Sequence, residues 1–161
     1  MHSIELEISN QYGDLIEPEL STTLICELLE KSKFTIEPGT LSIVFVNDAT
    51  ICQIHEAYLN DPSPTDVITF PADPLQGFSG EIFISIDEAR SNAARFKTNI
   101  SDEITLYLVH GWLHLHGLND KTEAERTVMR HSETEALSII QKANSIKQLI
   151  RKVFNSSYFR D

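Results

Sequence analysis

Residues 3–8, Ser-Ile-Glu-Leu-Glu-Ile, alternate polar and apolar side chains without a break. A period of two sends Ile4, Leu6 and Ile8 to one side and the acids to the other, which predicts a strand with one buried face. A polar stretch with Gly13 and Pro18 follows and reads as a loop. Between Glu19 and Ser32 the apolar residues Leu20, Leu24, Ile25, Leu28 and Leu29 recur at helical spacing. Pro18 suits the first turn of that helix. Pro38-Gly39 marks a turn. Leu41 to Val46 is a β-branched and aromatic run, which predicts a strand buried on both faces.

Asn47-Asp48 can cap a helix from Ala49 to about Asn60, with Ile51, Ile54 and Tyr58 on its apolar face. Asp61-Pro-Ser-Pro64 breaks it. The run from Thr65 to Phe70 predicts a short strand stopped by Pro71. Gly80 to Ile86 predicts another, able to pair antiparallel with Val67–Phe70. Asp87 is the expected cap of a helix ending at Phe96. Ser101 is the expected cap of the next helix, with Asp102 and Glu103 matching the dipole of its first turn. Ile104, Leu108, Gly111 and Leu115 give that helix a core-facing stripe, and it ends near His116-Gly117. A last helix runs from Thr122-Glu123 to about Ala143. Four strands among five helices, without regular βαβ alternation, predict an α+β fold with a small mixed four-stranded sheet.

The length of 161 residues fits a single domain, 1–161, that buries on the order of 70% of its unfolded surface. There is no run of 18 apolar residues, so no membrane-spanning helix is expected. The N-terminus lacks the basic and apolar regions of a signal peptide. Cys26 and Cys52 form no C-x-x-C pair and are expected to be buried free thiols in a reducing cytosol. The net charge of −11 argues against holding nucleic acid by overall attraction. Residues 142–161 carry five basic side chains against one acid, a basic tail that could touch a polyanion. Its last stretch, about 144–161, is expected to be poorly ordered.

The candidate chemistry lies in the helix that begins at Ser101. His110 and His114 are four residues apart, an advance of about 400°, so both rings leave one face a turn apart and can share a metal ion. Gly117 lets the chain turn back, and Asp120 can then deliver an oxygen ligand. Asn119 offers only a weaker amide oxygen. His116 projects about 200° away from His114 and should not join the same ion. Spacing alone leaves His131 open as a ligand. The metal site therefore belongs at the end of the central helix.

The stretch His110-Gly-x-Leu-His114-Leu-x-Gly117, followed by a ligand position at 120, resembles the H-G-x-L-H-L-x-G-Y-D-H signature of the YbeY family of bacterial metallo-endoribonucleases. Pro64-Thr-Asp-Val-Ile-Thr-Phe-Pro71 resembles that family's P-T-D-V-L-S-F-P strand, and Gly80-Glu-Ile-Phe-Ile-Ser85 its G-D-I-x-I-S strand. Order and spacing match across roughly residues 40–137. The resemblance implies a zinc-dependent, single-strand-specific endoribonuclease. Its implied partners are single-stranded rRNA and the ribosome or its small subunit, and its place is the cytoplasm. The implied work is 16S rRNA 3′-end maturation and 70S ribosome quality control. One zinc ion per chain is expected on His110, His114 and Asp120. The catalytic group is expected to be water activated by that ion, with the general base and oligomeric state left open.

Three departures stand out. The third histidine of the signature is Asp120, the Tyr-Asp before it reads Leu118-Asn119, and the family's arginine falls at Leu59. Aspartate is a competent zinc ligand, though an anionic one that shifts preference toward harder ions. Leucine cannot grip phosphate as a guanidinium does, so Lys121, Arg126 or the basic tail would have to substitute. Two rival readings remain at this point. One is a metal-stabilised, ribosome-associated binding module with weak or no cleavage. The other is a zinc metalloprotease, whose glutamate base would stand where this chain has Gly111. Asp66 is expected to hold the start of its strand, and Trp112 to pack in the core.

Overall fold

In a computed structural model of the chain, residues 3–15 and 18–143 are described. The basic tail expected over about 144–161 lies outside the described residues. The elements are β1 (Ile4–Asn10), α1 (Pro18–Glu30), β2 (Gly39–Val46), α2 (Asp48–Leu59), β3 (Val67–Phe70), β4 (Phe78–Ser85), α3 (Ile86–Phe96), α4 (Ile100–His116) and α5 (Glu123–Lys142). A single 3-10 turn, Pro74–Gln76, joins β3 to β4.

The four strands form one mixed sheet in the order β1-β2-β4-β3. β1 and β4 both run parallel to β2, while β3 pairs antiparallel with β4 along Val67–Ile84 to Phe70–Glu81. The α+β architecture expected from the sequence is therefore the observed one. The burial of β2 explains its apolar run. Leu41, Ile43 and Phe45 enter the main core, whereas Val44 and Val46 turn to a smaller one with Ile51 and Ile68. β1 alternates as expected, although its apolar positions are only half-buried.

α4 organises the main core. Eleven of its 17 residues are buried, among them Ile104, Leu108, Trp112 and Leu113. A helix apolar nearly all round can hold its place only in the interior. Trp112 is fully buried and donates its indole N–H to the Phe34 carbonyl at 2.6 Å. Gly111 lets α4 lie close to the sheet: a Cβ there would come within 2.8 Å of Ile82 and 3.1 Å of the Thr69 hydroxyl.

Two caps differ from expectation. Ser85, not Asp87, caps α3, its hydroxyl accepting the Glu88 N–H at 3.1 Å. Asp87 instead accepts the Asp48 N–H at 2.8 Å and the Tyr12 hydroxyl at 3.0 Å, tying α3 to α2 and to the end of β1. Asn99, not Ser101, caps α4, accepting the Asp102 N–H at 2.9 Å; Ser101 is buried and donates to Asn99. Tertiary hydrogen bonds take Asp87 off its expected role, whereas Ser101 turns back locally onto the capping Asn99 two residues earlier. Thr122 does cap α5, in a reciprocal capping box with Glu125. Cys26 is buried, with its thiol pKa pushed well up by burial, but Cys52 is only half-buried.

Candidate metal centre

α4 ends where Gly117 takes φ +116° and returns its N–H to the carbonyls of His114 and Leu113. That left-handed cap suits glycine and turns the chain back over the last helical turn. Asp120 is thereby carried to the rings of His110 and His114. The two Nε2 atoms lie 3.0 Å apart, and the Asp120 Oδ2 lies 3.3 Å from each. Among the described residues these three side chains form the one cluster of potential metal ligands.

The hydrogen bonds around the rings set their tautomers. His114 Nδ1 faces the Leu118 carbonyl at 2.9 Å, which can only accept, so that nitrogen carries the proton. His110 Nδ1 faces the Glu133 carboxylate at 2.6 Å and donates likewise. With a proton held on each Nδ1, both rings turn Nε2 inward, toward each other and toward a carboxylate oxygen. Three electron-rich atoms at 3.0–3.3 Å repel unless a cation sits among them. A tetrahedral zinc ion with ligands at about 2.0–2.1 Å spaces them about 3.3 Å apart, so the donor set fits such an ion. Burial opposes charge on His110, yet the hydrogen bond and charge of Glu133, with Asp120 and Asp66, raise its pKa above the ordinary value.

The other candidates fall elsewhere. His116 directs Nδ1 to the Thr35 carbonyl at 2.6 Å, away from the cluster. His131 is exposed on α5 and outside it. Asp66 accepts the Val67 N–H at 2.8 Å and so holds the start of β3, while also lining the cleft.

That cleft has a volume of about 620 Å³ and crosses the β3 edge of the sheet. Its walls include Leu59 from α2, Thr65 and Asp66 before β3, and His110, Asp120 and Lys121. Leu59, where the resemblance places an arginine, is exposed and stands on this wall. One turn earlier His55 also lines the cleft, with Nδ1 held by the Ser63 carbonyl at 2.8 Å. Neither His55 nor Glu133 was singled out from the sequence. A single histidine or glutamate on a polar helix face carries no spacing signal, and each reaches the site only through tertiary packing.

Fold and site together define a class: a small α+β protein with a His-His-carboxylate clip at the C-terminal end of its central helix. The sequence model of the family described as endoribonuclease YbeY matches residues 6–141. The chain belongs to that family. It is 35% identical over 136 residues to the endoribonuclease YbeY of Bacteroides fragilis, spanning 83% of this chain and 98% of that one. The Parabacteroides distasonis protein of the same name is 39% identical over 102 residues, or 63% of this chain and 72% of that one. A solution structure from Thermotoga maritima superposes with a TM-score of 0.58 at 21% identity, over 89% of this chain and 95% of that one, and shares the fold.

Proposed function

We propose that the protein is a metal-dependent endoribonuclease cutting single-stranded RNA, with one zinc ion per chain on His110, His114 and Asp120. We place its work in the cytoplasm, in rRNA processing that includes maturation of the 16S rRNA 3′ end, and in quality control of 70S ribosomes. The whole chain is taken as one such domain. The observation that carries the reading is the clip of three donor atoms at 3.0–3.3 Å. Kinship with the endoribonuclease YbeY family supports the substrate class.

A divalent ion bound there supplies a Lewis acid for a phosphoryl oxygen and lowers the pKa of water. The protein's own residues do the positioning. Glu133 and the Leu118 carbonyl keep protons on the two Nδ1 atoms, which leaves both Nε2 atoms free to bind. Asp120 adds a negative charge that offsets part of the ion's own. Lys121, on the cleft wall, offers a cation to the RNA backbone.

A protease reading finds no support, because the base it needs would replace Gly111 in a space already filled by Ile82. Leu59 favours a second reading, a metal-stabilised ribosome-associated binding module, since it leaves the α2 wall of the cleft without a guanidinium. Incubation with single-stranded RNA separates the two. Cleavage by the wild type that disappears in His114→Ala supports the nuclease. A wild type that holds metal but leaves the RNA intact supports the module.

A further inference from the structure

A second cavity of about 210 Å³ shares His110 and Asp120 with the cleft and does not include Leu59 in its lining. It is lined by His110 and Asp120 on one side and by Arg126, Met129, Arg130 and Glu133 of α5 on the other. Arg126, Arg130 and Glu133 follow at i, i+4 and i+7, so one face of α5 presents all three to the clip. Met129 between them is buried and fixes the helix against the core. Arg126 donates Nη1 to the carbonyls of Lys121 at 2.7 Å and Asp120 at 3.4 Å, which holds its guanidinium beside the ligand loop. Arg130 is exposed. Among the described residues neither guanidinium pairs with a carboxylate, and the Arg130 side chain makes no hydrogen bond, its carbonyl alone accepting the Thr134 hydroxyl at 3.0 Å.

Charge decides what this cavity suits. A divalent ion on the clip would offset the charges of Asp120 and Glu133. The arginines are then uncompensated, in a protein whose overall charge of −11 repels RNA. We infer that Arg126 and Arg130 form a phosphate subsite, holding an RNA backbone phosphate next to the one at the metal. This rests on the endoribonuclease reading above and says where its phosphate-binding cation comes from. Guanidinium donors match phosphate oxygens bidentately, and two of them one helical turn apart can serve one phosphate or two neighbours. The cation missing at Leu59 is thus supplied from α5.

Arg130 is the cleaner position to test, since Arg126 also supports the ligand loop. Steady-state cleavage of a short single-stranded RNA by the zinc-loaded protein is measured over a range of salt concentrations. Arg95→Ala makes the same charge change on α3, outside both cavities, and serves as the control. Arg130→Ala is expected to raise KM roughly tenfold, as for loss of a charged hydrogen bond, with kcat within about twofold. The slope of log KM against log salt should fall by about 0.7, one phosphate contact on a single strand. Arg130→Lys should recover the slope while keeping part of the KM defect. Metal content should match the wild type throughout. The inference is overturned if Arg130→Ala behaves like Arg95→Ala, or if it loses metal. If the wild type itself neither binds nor cuts RNA while holding its metal, the endoribonuclease reading falls and this subsite with it. A cutting wild type with an inert Arg130→Ala sinks the subsite alone.

Discussion

Glu133 reaches His110 from a different helix, at 2.6 Å, and fixes which ring nitrogen is free. Replacing a carboxylate that holds a metal-binding histidine typically weakens metal affinity 10- to 100-fold. Glu133→Leu is accordingly expected to raise the zinc Kd within about that range, read by competition with a chromophoric chelator. Glu133→Gln, which can still accept the Nδ1 proton, should lose less. Equal affinity in all three proteins would leave Glu133 without this role. Leu59→Arg is expected to increase RNA cleavage, since it returns a guanidinium to the α2 wall of the cleft; an unchanged rate would mean that the missing arginine does not limit this enzyme. His110, His114 and Asp120 could be read together from the sequence because helical periodicity and one glycine place them locally. Arg126 was legible as a candidate cation beside them, but Glu133, His55 and Arg130 were not, because packing between elements brings them in.

α4 is the element that the site depends on, and its fit against the sheet is tight. Gly111→Ala sets a Cβ 2.8 Å from the Ile82 side chain. Overpacking of this kind costs about 1–3 kcal/mol, so the midpoint of thermal unfolding should drop by several degrees. An unchanged midpoint would show that α4 can move away from the sheet without cost. At the start of α3, Glu88 stands near Asp48, Asp66 and Asp87. Its pKa is raised by partial burial and then by these three acids. An acid with a raised folded pKa destabilises the fold once pH exceeds its unfolded value. Glu88→Gln should therefore stabilise slightly at pH 7, by well under 1 kcal/mol for so exposed a group, and the gain should vanish in acid. Denaturant melts at the two pH values check the sign, and a gain that persists in acid would contradict the assignment. The elements themselves were legible in the periodicity, including the antiparallel pairing of β3 with β4. The caps of α3 and α4 were not. Asp87 is taken up by contacts that the assembled fold provides, while Asn99 takes the α4 cap from Ser101 through local bonds that its position two residues earlier allows.

Across the whole molecule, an acidic body surrounds a small region where cations gather. Lys121 faces the larger cavity and Arg126 and Arg130 the smaller, with the clip between them. That arrangement lets a protein of net charge −11 present local attraction to a polyanion. Overall charge argues only against holding nucleic acid by net attraction, and a local grouping of cations is compatible with that. Among the described residues no helix is long and apolar enough to cross a membrane, as the hydropathy pattern suggested. The central claim is that the clip of His110, His114 and Asp120 is a metal centre on which RNA cleavage depends. Its most direct test is to strip the protein with a chelator and add zinc back while following cleavage of single-stranded RNA. The stripped protein should not cleave, recovery should saturate near one zinc per chain, and His110→Ala should not recover. Full cleavage by stripped wild type, or recovery by His110→Ala at one equivalent, would contradict the claim.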